Sequence, residues 1–144
     1  MPARFGSERL RFEAMKRLGC VLGLLLVVTS PAADDRWRMV VADAPYARVW
    51  AAAQEAVQDY PIERVIAGEI VTGWRDRPAR IDEAGFRRVA ERVTLRVQPF
   101  EERITRITVL VEVRGWRDDA DGVPLADDGV VAHQVLERVR ASLR

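Results

Sequence analysis

Acidic side chains crowd one polar stretch of this sequence. Residues 117–129 read RDDADGVPLADDG and hold five aspartates between Asp118 and Asp128, with Gly122 among them. Carboxylates around a glycine turn are donors that Ca²⁺ prefers. On the twelve-residue EF-hand spacing, however, Arg117 would take the first ligand position, and the last ligand would be Asp rather than Glu. The pattern therefore favours a solvated loop with helix-capping aspartates, and we expect no metal site there.

Other residues suited to catalysis are few and scattered. His133 is the only histidine, and without cysteine partners it cannot build a usual zinc site. Beyond residue 32 the only serine is Ser142, so a Ser-His-Asp triad is not expected. No glycine-rich phosphate loop is present. The sequence therefore predicts a protein that is not an enzyme and that needs no cofactor.

Arginines alternate with apolar residues along two neighbouring segments. The ordinary interpretation of such a row is a solvated sheet face with cross-strand ion pairs. The alternative is an interaction surface for an acidic partner or for lipid head groups. The candidate residues for that surface are Arg92, Arg96, Arg106, Arg114 and Trp116, the last of which could line a groove between the sheet and a helix.

The segment that must position these arginines is residues 86–116. Val93, Leu95 and Val97 alternate with polar residues, and the same holds from Ile107 to Val113. Strict alternation places the apolar residues of each run on one face of a strand. Residues 99–103, which begin with a proline, suit the connection between the runs. The pattern predicts a long antiparallel hairpin with one buried and one wet face.

Two helices and two further strands complete the prediction. Asp43 and Pro45 are suited to begin a helix whose buried stripe is Tyr46, Trp50, Ala53 and Val57. Residues 62–67 and 69–75 are expected to be strands joined tightly around Gly68, and residues 36–41 a possible edge strand. Residues 130–143 form the last helix. The predicted fold is a two-layer α+β domain of order α-β-β-β-β-α, an antiparallel four-stranded sheet packed against two helices in a helix-grip-like arrangement.

The N-terminal residues have the character of an export signal. Met15, Lys16 and Arg17 form a basic start, residues 18–28 are apolar, and residues 29–33 are small. An apolar run of this length is typical of a cleaved signal peptide and is short for a membrane span. We therefore expect residues 1–32 to be an N-terminal extension and Sec-type signal peptide, with translation starting at Met15, and residues 33–144 to form a single domain. The lone Cys20 lies near the start of the apolar run, whereas a lipobox cysteine follows that run, so lipidation is not expected and membrane association stays open.

Charge argues against a nucleic-acid partner. Residues 1–32 hold five of the 23 basic and two of the 22 acidic residues, so the remainder carries two more acidic than basic groups. Nucleic-acid binding depends on a clear basic excess. We expect a protein partner in the cell envelope instead.

Three segments carry a resemblance to a known family. Val49-Trp50, the run Gly68-Glu69-Ile70-Val71-Thr72-Gly73-Trp74 and the final helix resemble the helix-grip domains of BamC-type outer-membrane lipoproteins. The resemblance spans about residues 43–143 and consists of packing residues. It implies a non-catalytic accessory role in outer-membrane assembly.

These observations lead to two hypotheses about function. The first is a periplasmic or secreted bacterial envelope protein with a non-enzymatic binding domain. The alternative is a carrier of a small apolar ligand, held in a groove between the sheet and the C-terminal helix.

The first prediction concerns processing. Because the apolar run is followed by small residues, the exported protein should begin near Ala33. Mass spectrometry of the periplasmic or secreted form measures this directly. An isolated protein that retains residues 15–32, or that carries a diacylglycerol on Cys20, would contradict the assignment.

Overall fold

The computed structural model describes residues 36–118 and 121–144. The predicted signal peptide lies outside them and stays a prediction. The described residues form seven strands, two α-helices and one short 3-10 helix, Ile81–Glu83. The strands and α-helices are β1 (Arg38–Asp43), α1 (Tyr46–Ala56), β2 (Ile62–Ile66), β3 (Glu69–Thr72), β4 (Arg75–Arg77), β5 (Arg88–Glu101), β6 (Ile104–Trp116), β7 (Val123–Leu125) and α2 (Val130–Leu143).

The predicted α+β class, with an antiparallel sheet and two helices, is confirmed. The predicted number of four strands is wrong, as is the order α-β-β-β-β-α, because the sheet has seven strands and begins with one. The possible edge strand at residues 36–41 corresponds to β1, which lies at one end of the main strand order. The sequence did not predict β4 and β7 as separate strands, because each has only three residues. β4 begins at the last residue of the predicted strand 69–75, and β7 lies in the segment 117–129, where the polar composition favours a loop.

The central feature of the sheet is the antiparallel pairing of β5 with β6, which runs from Arg88 opposite Trp116 to Glu101 opposite Ile104. The predicted long hairpin is confirmed, but its connection is shorter than residues 99–103. Pro99 lies within β5, beyond the end of β3. The amide of Val97 donates to Gly68 at 2.7 Å. Alternate residues of a strand direct their backbone N–H groups to the same side, so the nitrogen of Pro99 faces the same side as that of Val97. β3 does not extend this far, so the N–H group that proline lacks would have had no β3 partner, and no hydrogen bond of the sheet is lost.

Shorter strands cover each side of this hairpin in succession. β3 and then β4 pair with β5, and β1 and then β7 pair with β6. β2 pairs with β3 through the predicted tight turn at Gly68, whose φ of 77° favours glycine. On this side of β6, the pairing with β1 ends at Val109 and the pairing with β7 begins at Val113. The three residues between them have no neighbouring strand.

The hydrophobic core lies between the sheet and both helices. The inward residues of the hairpin, among them Val93, Leu95 and Val109, are fully buried. Against them pack Val49, Ala53 and Ala56 of α1 and Val131, Val135 and Val139 of α2. Both helices therefore lie on one face of the sheet.

Trp50 is less buried in the core than the sequence pattern predicts. The most buried residues of α1 are Val49 and Ala53, and Trp50 is half-buried at the margin of the core, stacked on Tyr46 with ring centroids 6.1 Å apart. The small residues Ala52 and Ala56 bring the helix backbone close to the sheet, which leaves the large indole at the edge of the contact.

The two helix starts differ from each other. The predicted Asp43 cap of α1 is wrong: Asp43 is the last residue of β1, and Pro45 occupies the N-cap position without a side-chain cap. At α2 the N-cap residue is Gly129, which has no side-chain cap, and of the two predicted aspartates Asp128 accepts a hydrogen bond from the amide of Val130 at 3.0 Å.

The hairpin offers a matched test of the burial pattern. Leu95 is fully buried on the helix side, whereas Leu110 is half-buried on the opposite face. We expect Leu95→Ala to lower the free energy of unfolding by about 2–5 kcal/mol because it leaves a cavity in the core. Leu110→Ala should cost clearly less. Urea unfolding of the two variants measures the difference, and equal losses would show that the sheet is buried on both faces.

Candidate functional site

The face of the sheet opposite the helices carries the predicted interaction residues. Because Arg92 and Arg96 alternate with buried Val93 and Leu95, their side chains point away from α1 and α2. Arg106, Arg114 and Trp116 of β6 share this face with them. We call this side the outer face of the sheet.

One end of the outer face holds a compact cluster of aromatic and guanidinium groups. The rings of Trp74 and Trp116 meet edge to face with centroids 6.1 Å apart. The guanidinium of Arg88 lies 4.5 Å from the ring of Trp116, and those of Arg92 and Arg114 lie 5.0 Å and 5.3 Å from the ring of Trp74. These separations are within the range of cation–π attraction. The structure therefore joins Arg92, Arg114 and Trp116 through Trp74. With Arg88, these residues make five, and we call them the Trp74 cluster.

Arg96 and Arg106 lie nearer the hairpin turn, outside that cluster. Arg96 stacks 4.4 Å from the ring of Trp37 and bonds Glu69 at 2.7 Å. Arg106 lies 5.2 Å from the ring of Phe100. Arg92 and Arg96 also line a shallow groove of about 240 Å³, with Thr94 and Leu110 among its other walls.

Two of the aromatic partners were not expected on this face. The sequence favours Trp74 as a core residue and assigns no role to Trp37. Trp74 lies just beyond β3, after Gly73, whose amide donates to Pro61 at 2.6 Å. That break in the strand is what frees its side chain from the inward pattern. The pairing of Arg88 with Trp116 likewise places Trp116 on the outer face, away from the groove between sheet and helix where the sequence suggests it.

A carboxylate on the helix side of the sheet was missed altogether. Glu91 is in phase with Val93 and is only 2% exposed. Its Oε1 accepts hydrogen bonds from the hydroxyl of Tyr60 and from Arg75, each at 2.7 Å. Its Oε2 lies 3.4 Å from Nε of Arg77, close enough for an ion pair but outside hydrogen-bond geometry. The alternation of β5 alone could have predicted that Glu91 is buried, because it lies two residues before Val93. A buried carboxylate requires hydrogen-bonding or charged partners.

A second buried carboxylate extends this network. Glu83 accepts two hydrogen bonds from the guanidinium of Arg77, each at 2.7 Å, and one from the amide of Arg80 at 2.9 Å. The hydrogen bonds from Arg77 lower the pKa of Glu83 to about 2. At the other end of the network, Arg75 bonds Asp59 at 2.6 Å.

Burial limits the acid–base chemistry open to this network. Tyr60 and Glu91 are almost completely covered, and burial together with the hydrogen bond to Glu91 raises the pKa of the Tyr60 hydroxyl. The hydroxyl is therefore not poised to act as an acid or base near neutral pH. The network joins residues 59–60, which follow α1, to Arg75 and Arg77 of β4 and to Glu91 of β5, so it fixes β4 against the sheet.

The remaining sequence candidates are dispersed. His133 is exposed on α2, as expected. Asp119 lies outside the described residues, and Asp128 bonds both the start of α2 and Arg80. Within residues 36–118 and 121–144, no three His, Cys, Asp or Glu side chains are placed to hold a metal ion. None of the helices in these ranges is long and apolar enough to cross a bilayer.

Comparison with known proteins yields little likeness. No protein-family model matches the chain, and no curated protein does. Among solved structures, the ZhuI aromatase/cyclase from Streptomyces sp. R1128 shares 14% identity over 74% of this chain and 86% of its own, with a TM-score of 0.29. A TM-score this low carries no inference about activity or ligand.

The Arg77–Glu83 pair generates a prediction about acid stability. The pKa of Glu83 falls from 4.5 in a free side chain to about 2 in the fold. Its stabilising effect is therefore complete above about pH 4.5 and is lost as the pH falls toward 2. By linkage the loss is up to roughly 3 kcal/mol.

Urea midpoints between pH 2 and 5 test this effect of Glu83. Glu83→Gln should remove part of the decline in stability, while Glu102→Gln, at the exposed turn of the hairpin, should leave the decline unchanged. The same decline in the wild-type protein and in Glu83→Gln would show that other carboxylates cause it.

Proposed function

We propose that this chain is an exported, non-enzymatic binding domain of the bacterial cell envelope and that the outer face of its sheet is the binding surface. The observation that carries the proposal is the Trp74 cluster. It gathers three guanidinium groups and two indole rings on a sheet face that neither described helix covers.

The chemistry of this cluster suits recognition of acidic groups. A guanidinium stacked on an aromatic ring keeps the N–H groups along its edge available for hydrogen bonds to carboxylate or phosphate. Trp and Arg are also the residue types that dominate binding energy at protein interfaces. Arg114 forms no ion pair with the described residues, whereas Arg92 bonds Glu112 at 2.6 Å. An acidic partner could therefore contact Arg114 directly and compete with Glu112 for Arg92.

Placement in the envelope rests on the N-terminal sequence. The basic start followed by the apolar run of residues 18–28 favours export. The resemblance of residues 43–143 to BamC-type helix-grip domains supports a role as an accessory in outer-membrane assembly. Such a role needs a docking surface and no catalytic group, which agrees with the structural use of Glu91.

A second candidate function has one observation in its favour. An open groove of about 280 Å³ runs between β1 and α2, with Val40, Ile107 and Val139 among its walls. Its apolar lining suits a small hydrophobic ligand. Farther along α2, Val135 and Leu136 are buried against the sheet, so a carrier would hold its ligand at this margin.

Affinity capture with three baits tests the proposed surface. Arg92→Gln with Arg114→Gln should abolish retention of the envelope partner, because it removes two guanidinium groups from the Trp74 cluster. The matched control is Arg48→Gln with Arg140→Gln, which removes two charges from the helices. Each double variant should lose no more than about 2 kcal/mol of stability, as expected for exposed ion pairs and cation–π contacts. For a captured partner, the association rate should fall as salt rises.

The pattern of retention separates the hypotheses. A partner retained by the wild type and the helix variant, and lost by the outer-face variant, supports the proposal. Equal retention by all three baits would refute it. A fourth bait, Leu143→Trp, places a large side chain at the half-buried margin of the groove beside α2. Retention that is lost only in this bait would favour the carrier function.

A further inference from the structure

The sheet has an opening along β6 that adjoins the outer face and shares only Arg114 with the Trp74 cluster. β1 stops pairing at Val109 and β7 starts pairing at Val113, so β6 lacks a neighbour between them. A pocket of about 290 Å³ occupies this opening. Its size is at the lower end of the roughly 300–1,000 Å³ typical of small-molecule sites. We call it the β1–β7 pocket.

Three guanidinium side chains line the β1–β7 pocket. They are Arg36, Arg38 and Arg114. None of them has a carboxylate of the described residues within 4.0 Å, whereas half of the arginines in those residues are held in ion pairs. Cations gathered around one cavity repel each other, and an anion between them would relieve that repulsion.

The position of Arg38 strengthens this argument. A Cβ built on Gly129, the N-cap of α2, would lie 3.4 Å from Nε and Nη2 of Arg38. The start of a helix carries partial positive charge, so a cation beside it is unfavourable unless negative charge is near. Asp127 and Asp128 supply part of that negative charge, and an anion in the pocket would add to it and lower the repulsion among the three arginines.

Two carboxylates also line the pocket, and neither satisfies these cations. Glu112 is engaged by Arg92, with Nη2 and Oε2 at 2.6 Å. Asp127 is half-buried, its Oδ1 has no hydrogen-bond partner, and burial raises the pKa of its carboxyl group. A buried oxygen without a hydrogen-bond partner, beside cations that form no ion pair with the described residues, favours a site that holds a further group.

We propose that the β1–β7 pocket binds a phosphate group. Each guanidinium offers a fork of donors that fits two oxygens of one anion. Three guanidinium groups offer more donors than the two oxygens of a carboxylate can accept, whereas phosphate presents three or four oxygens and carries close to two charges. The phosphate could come from a soluble molecule or from a lipid head group, which share this chemistry.

Titration with inorganic phosphate at constant ionic strength tests the site. Backbone amide NMR signals of Val111, Leu125 and Asp127 should shift and saturate. Arg36→Gln with Arg38→Gln should weaken binding about tenfold or more, in line with the loss of charged hydrogen bonds. Asp127→Asn should strengthen it several-fold, since it removes a like charge. Arg103→Gln, at the hairpin turn, is the matched control and should bind as the wild type does.

The outcomes are separable from those for the outer face, because Arg36, Arg38 and Asp127 are not part of the Trp74 cluster. Saturation that depends on Arg36 and Arg38 supports the site. Binding that extends to vesicles of phosphatidic acid, but not of phosphatidylcholine, supports a lipid source, and absence of vesicle binding supports a soluble one. Shifts that never saturate, or that are equal in the double variant and in Arg103→Gln, overturn the proposal. Unchanged urea midpoints establish that the variants are folded.

Discussion

The alternation of side chains along β5 and β6 is the constraint on which the rest of the structure depends. A shift of one residue in either strand would exchange the valines with the arginines and destroy both faces at once. On the helix side the alternation creates the surface that buries α1 and α2. On the other side it sets the spacing of the guanidinium groups. The core and the proposed binding surface are thus two results of one register, which extends from Arg88 to Glu101.

Glu91 shows how this register is held at one end. A carboxylate at an inward position is costly unless charged and hydrogen-bonding groups surround it. Tyr60, Arg75 and Arg77 supply them, and each comes from a different part of the chain than β5. Only one alignment of β4 along β5 brings both arginines to Glu91. The network thereby ties the position of a three-residue strand, which has little pairing of its own, to that of the hairpin.

The sequence predicts those parts of the fold that have a strong period. The apolar runs at residues 93–97 and 107–113 are long enough to indicate strands, and the stripe of residues 131–139 indicates α2. β4 and β7 have three residues each, and Pro124 within β7 argues against a strand, so only their pairing with longer strands defines them. The same alternation predicts the positions of the arginines of the candidate site. It does not predict their aromatic partners, because Trp74 lies in a break between strands and Trp37 contacts Arg96, which is distant in sequence.

The pairing of β1 with β6 also affects when the sheet can form during synthesis. Arg38 pairs with Val109, so the first strand finds its partner only after about seventy more residues have been added. At about 5–20 residues per second this delay is roughly 4–14 s during synthesis. Met39 and Val41 are exposed along β1 even in the finished sheet, and throughout the delay the whole strand has no partner. The nascent chain therefore cannot complete its sheet until β6 has been synthesised.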